Sequence, residues 1–169
     1  VAIGHQALEL QNAGIDAHNI AVGQNVGKVI STGIDNVLIG GQVGDALTTG
    51  TANVAIGKAA LSTEDTGSRN VAIGYNALGD LDYNGNAYNV AVGYNAGGAM
   101  TSGINNTIIG GEAGDAITTG TDNIAIGRQA LSAKTIGSGD VAIGHQALQD
   151  ADGGDALNVA VGYRAGRNI

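Results

Sequence analysis

The residues of this sequence with the clearest chemical potential are oxygen donors and exposed aromatics. Asp80, Asp82 and Asn84, in the string Asp80-Leu81-Asp82-Tyr83-Asn84-Gly85-Asn86, match the first half of a calcium loop. In such loops, oxygen side chains at alternate positions converge on a hard cation. The terminal Glu of that motif is missing here. Asp150 and Asp152 recur one block later, but Gly154 stands where Asn84 stood. The competing reading is an acidic Asx-rich turn with no cofactor. Tyr75, Tyr94 and Tyr163 each follow a glycine and are expected to face outward, where a ring can stack on a sugar or join an interface. His5 and His145 occupy the same slot, too far apart along the chain's repeats to share a metal within one copy. No Ser/His/Asp, Cys/His or paired-carboxylate arrangement recurs, and the expectation is a non-enzymatic protein.

Composition narrows the class. The chain has 169 residues with 30 Gly, five Tyr as its only aromatics, and no Pro, Cys, Trp or Phe. A core built on large aromatic rings is therefore excluded. Lys+Arg number 7 against Asp+Glu 15, a net charge of −8, which argues against nucleic acid as a partner because that affinity depends on neutralising phosphates. No apolar run approaches the ~20 residues needed to cross a bilayer, so no membrane insertion is expected of this segment.

The elements that must position these residues are set by a repeat. Val-Ala-Ile-Gly or a close variant occurs ten times, ending at Gly4, Gly23, Gly40, Gly57, Gly74, Gly93, Gly110, Gly127, Gly144 and Gly162. The spacings are 17 to 19 residues, and four repeats form a 70-residue block: residues 1–70 agree with 71–140 at 35 positions, and 141–169 begin a third block. The first and third motif positions are Val, Ile or once Thr; the second is Ala except at Leu38 and Ile108. Alternation at period two puts the larger residues on one face of a short strand and Ala on the other, so both faces are apolar. The invariant Gly suits a corner or a close backbone approach.

Before the motif stand Asn19, Asn36, Asn53, Asn70, Asn89, Asn106, Asn123 and Asn158, with Asp140 the exception. Such residues would stack into an amide ladder if successive repeats lie directly above one another. Three residues earlier, Gly33, Gly50, Gly67, Gly103, Gly120 and Gly137, or Asp16, Asn86 and Asp155 in the longer repeats, predict a left-handed turn.

These constraints predict an all-β fold: a parallel β-solenoid or β-roll, with one 17–19-residue repeat per coil and about ten coils. At ~4.8 Å per coil this is a rod of roughly 45 Å. Ordering a coil costs more than its few medium side chains return. Burial of the Ala-rich face against sister copies would supply the rest, which predicts a homotrimer. The lack of polar capping repeats makes residues 1–169 read as one solenoid segment of a longer fibre, with end-to-end filament contacts possible.

The strings Asn53-Val54-Ala55-Ile56-Gly57-Lys58-Ala59-Ala60 and Asn70-Val71-Ala72-Ile73-Gly74-Tyr75-Asn76-Ala77 resemble the head repeats of trimeric autotransporter adhesins, the YadA-like parallel β-roll, and that resemblance implies a left-handed coil. They are also similar to repeats in phage tail-fibre proteins. The adhesin heads have shorter coils. The resemblance implies an extracellular, trimeric, adhesive rod, on a virion tail fibre or a bacterial surface filament, used in attachment to a host-surface glycan or protein. The alternative is a ligand-binding module whose long-coil loops bind Ca2+ or glycan directly.

Overall fold

The computed structural model describes residues 1–14, 16–151 and 157–168. Each motif forms one short strand: β1 (Ala2–Ile3), β2 (Ile20–Val22), β3 (Val37–Ile39), β4 (Val54–Ile56), β5 (Val71–Ile73), β6 (Val90–Val92), β7 (Thr107–Ile109), β8 (Ile124–Ile126), β9 (Val141–Ile143) and β10 (Val159–Val161). They pair in parallel, in chain order, as a single ten-stranded sheet. Register is motif on motif throughout, as in Val54↔Val71, Ala55↔Ala72 and Ile56↔Ile73. The chain is a β-solenoid, and among the described residues there is no helix.

Hydrogen bonding between coils is not confined to this sheet. A second column runs through Gly27 N–H to Val43 C=O (2.9 Å), Gly44 to Ala60 (3.1 Å), Leu61 to Ala77 (3.1 Å) and Leu78 to Ala96 (3.1 Å). A third includes Thr48 N–H to Asp65 C=O (2.7 Å), Thr101 to Thr118 (2.8 Å) and Thr118 to Thr135 (2.8 Å). Proline would remove a donor from these columns, and the chain has none.

The asparagines form the expected ladder, and it lies inside the coil. Asn36, Asn53, Asn70 and Asn106 are completely buried. Each Oδ1 accepts the backbone N–H of the next ladder residue: Asn36 N to Asn19 Oδ1 (2.8 Å), Asn53 to Asn36 (3.0 Å), Asn70 to Asn53 (2.9 Å), Asn106 to Asn89 (2.9 Å). Most Nδ2 groups donate to a glycine carbonyl in the following coil, as Asn36 to Gly50, Asn53 to Gly67 and Asn106 to Gly120, each at 2.9 Å.

That ladder corrects the assignment of faces. Because side chains alternate along a strand, an inward Asn forces the next residue outward, the Ala inward and the Ile outward. Ala21, Ala55, Ala72, Ala91, Ala125 and Ala142 are fully buried within the coil, whereas the Val/Ile positions are only half-covered. The surface left for a neighbour is the β-branched face, not the Ala face.

The turn assignment also changes. Gly33, Gly50, Gly67, Gly103 and Gly120 have no left-handed backbone, nor do Asp16 and Asn86; of this slot Gly137 alone among the described residues does, at φ 129°, and Asp155 lies outside them. The glycines are required by proximity: a Cβ at Gly50 would lie 2.3 Å from the Gly67 carbonyl oxygen, and one at Gly103 2.5 Å from that of Gly120. The left-handed residues lie elsewhere, in coil three at Gly40 (φ 143°), Gln42 (56°), Gly44 (52°) and Ala52 (56°). The invariant motif glycines meet both demands at once. Their φ runs from 122° to 145°, and from Gly4 to Gly144 an added Cβ would fall 1.6–2.9 Å from the next coil's glycine backbone.

The two exceptions to Ala fill space left by glycine. Leu38 packs where a Cβ at Gly27 or Gly44 would come within 2.9 or 3.4 Å of its Cδ1, and Ile108 does the same beside Gly97 and Gly114. In the next coil the volumes are exchanged, with Ala55 in the strand and buried Leu61 in the Gly44 slot. Leu61 tolerates that slot's left-handed backbone at φ 52°. Leu38→Ala should therefore cost about 2–5 kcal/mol. Leu38→Ala combined with Gly44→Leu, which copies the following coil, should recover part of that loss in denaturant melts.

Candidate functional site

Two surfaces and one interior column carry the side chains capable of chemistry. The interior column lies six residues before the ladder position in the six 17-residue coils: Ile30, Leu47, Glu64, Met100, Ile117 and Lys134. All six are buried, including the two charged ones. Lys134 Nζ lies 3.0 Å from Asp140 Oδ2. Asp140 is the ladder's exception, and the ion pair explains it. Its Oδ1 keeps the acceptor role, receiving Asn158 N–H at 2.9 Å, and its backbone N–H still donates to Asn123 Oδ1 at 3.0 Å. The other carboxylate oxygen, in place of an amide nitrogen, faces the ammonium. In the preceding block the same two positions are Glu64 and Asn70, so both change together between blocks. Sequence reasoning missed this pair, although that joint change was visible in the alignment of the blocks.

Glu64 is held by its own turn. Its Oε1 accepts Gly67 N–H at 2.6 Å and its Oε2 accepts Tyr83 N–H at 3.3 Å from the following coil. Burial pushes its carboxyl above the ordinary carboxylate range, with repulsion from Asp82 adding and the N–H groups opposing. Asp45 and Asp115 are also raised by burial.

The calcium candidate is partly engaged in coil stacking. Asp80 and Asp82 are exposed on either side of buried Leu81. The Asn84 side-chain oxygen accepts a hydrogen bond from the Thr66 hydroxyl of the preceding coil, so it is committed to a neighbour. Among the described residues no three His, Cys, Asp or Glu side chains gather as metal ligands. Asp152 and Gly154 lie outside the described residues.

The aromatic slot behaves as a column on the rod surface. Tyr75, Tyr94 and Tyr163 are all exposed, as expected. Tyr75 and Tyr94 stack with centroids 5.4 Å apart and planes 11° from parallel. His145 stacks on Tyr163 at 5.3 Å and 9°, with the Arg164 guanidinium 5.0 Å from the Tyr163 centroid. His5 lies eight coils from His145, so the structure does not bring them together. The slot also holds Gly41 and Gly111, where the column has no side chain.

Beside this column runs the outward Val/Ile band. Ile20, Ile39, Ile109 and Ile124 are 36–38 % exposed, and the band continues from β2 through β9 without a break in register. No protein family, curated protein or solved structure matches this chain.

Two outcomes follow for the interior charges. Lys134→Met leaves a carboxylate buried without its cation and should cost about 3–5 kcal/mol, whereas Lys134→Leu with Asp140→Asn, which copies Leu47 and Asn53, should equal or exceed the parent in stability. For Glu64, a raised folded-state pKa means the folded chain holds the proton more tightly than the unfolded one. Its contribution is complete below the unfolded carboxyl value of ~4.3 and is lost as pH rises through the raised value. Melting temperature should therefore fall from this term as pH rises above the unfolded carboxyl value, and the fall should be smaller in Glu64→Gln. Asp45 and Asp115 sustain what slope remains.

Proposed function

We propose that this chain is a structural, non-enzymatic rod segment of an extracellular adhesive fibre, a phage tail fibre or a bacterial surface filament, assembled as a homotrimer through its outward Val/Ile band. The single observation that carries this reading is the continuity of that band. Scattered exposed aliphatics need no explanation, but a contiguous strip along a whole face marks an interaction site. Sister copies of the same rod fit it best, because only a surface with the same coil spacing meets every rung in phase. The stacked architecture supports the rod role independently: each coil touches only its neighbours, so length is added without altering cross-section. The adhesin-like motifs around Asn53 and Asn70 agree with this reading.

Sedimentation should give three times the chain mass of 16.6 kDa. Ile39→Lys combined with Ile109→Lys should lower that mass while leaving the β-sheet circular dichroism intact, since both side chains lie outside the core. A parent chain that remains a single copy at high concentration would remove the basis for the trimer.

A further inference from the structure

Rung by rung, the outward column after the corner glycines reads His5, Gln24, Gly41, Lys58, Tyr75, Tyr94, Gly111, Arg128, His145 and Tyr163. Tyr75 stacks on Tyr94, from adjacent coils, with nearly parallel planes, and this contact uses one face of each ring. The other face of Tyr94 is not used by Tyr75, and the next rung, on the side of Tyr94 away from Tyr75, carries Gly111 in this slot. A Cβ built there would meet no atom within 4 Å, so the slot is open space rather than a tight packing point. One rung further stands Arg128, its guanidinium 3.9 Å from Glu112. Glu112 also accepts a hydrogen bond from Gln129 at 2.8 Å. The column therefore contains a notch one rung high, with an aromatic wall, a glycine floor, a guanidinium wall and a carboxylate at its rim.

The dimensions select the occupant. Walls two rungs apart are ~9.6 Å from each other at the solenoid rise. A flat ring in contact with both needs about 7–8 Å, two carbon contacts of 3.5–4.0 Å. The surplus suits a thicker, puckered saturated ring. A nucleobase is further disfavoured by the net charge of −8, which repels the phosphates it carries. The chemistry agrees: an apolar C–H face for Tyr94 on one side, and hydroxyl groups for Glu112 and Arg128 at the edge, are what a sugar presents.

We propose that the notch at Gly111 binds one pyranose ring of a carbohydrate, its apolar face on Tyr94 and its hydroxyls toward Glu112 and Arg128. The site lies within one chain and does not rest on the trimeric rod. The equivalent vacancy at Gly41 is equally open but is flanked by Gln24 and Lys58, without an aromatic wall, and serves as an internal control.

Saturation-transfer NMR on the full chain, with methyl β-glucopyranoside, methyl β-galactopyranoside, methyl α-mannopyranoside and N-acetylglucosamine as probes, tests this. At least one probe should show transfer to its ring C–H protons, with a dissociation constant on the order of 1 mM. Tyr94→Ala should weaken binding tenfold or more. Gly111→Gln puts into the column the residue already present at Gln24, and should abolish binding with the melting temperature unchanged; Gly41→Gln should leave binding as in the parent. No transfer to any of the four sugars, transfer that survives Gly111→Gln, or preferential binding of indole in place of the sugars would overturn the assignment.

Discussion

The inward asparagine is the constraint on which the rest of this structure depends. A buried carboxamide must satisfy both a donor and an acceptor, and in this fold it does so across the coil boundary. Its oxygen takes the next ladder residue's backbone N–H, and in most rungs its nitrogen reaches a glycine carbonyl of that same following coil. Stacking in register is the arrangement that satisfies every Asn at once. From that follow the inward Ala, the outward Val and Ile, and the glycine columns that let backbones approach closely enough for the bonds to close. Left-handed residues such as Gln42 and Ala52 cost roughly 1–2 kcal/mol each, and they persist because the hydrogen bonds on either side fix the path of the chain.

The repeat carries most of the fold in plain sight. Spacing located every strand, and the near-invariant Asn located the ladder. What could not be read was which way the strand faces, because Val-Ala-Ile is apolar on both sides and size suggested that the larger residues go in. Burial of Asn decides the parity, and an amide beside a hydrophobic run looks equally at home outside. Glycine was ambiguous in the same manner: at Gly50 it answers to a neighbouring carbonyl and at Gly40 to both backbone angle and contact, yet the letter is the same. Outward tyrosines were legible from their slot. Their stacking was not, because it arises between residues 19 positions apart whose rings meet only after coils are laid one on another.

Conformity to the repeat is strictest where groups face one another across coils and loosest where they face water. The outward slot after each corner accommodates His, Gln, Gly, Lys, Tyr and Arg without disturbing the sheet. The interior tolerates charge only in compensated form, as when Asp140 keeps the ladder's acceptor and gives its second oxygen to Lys134. A scaffold of this kind separates what holds it together from what it displays. Surface chemistry can be rewritten one rung at a time.

The direction of the inter-coil hydrogen bonds has a mechanical consequence. They run along the rod, not across it, so tension applied between the two ends loads successive rungs in series. Under such a load the weakest rung yields first, and the remainder stays folded while the freed coil pays out as slack. Each released 17-residue coil extends to roughly 55 Å at about 3.3 Å per residue, against the ~4.8 Å it spans when stacked. A tether made this way dissipates a sudden pull in steps, which is the behaviour of a shock absorber rather than of a stiff strut that snaps.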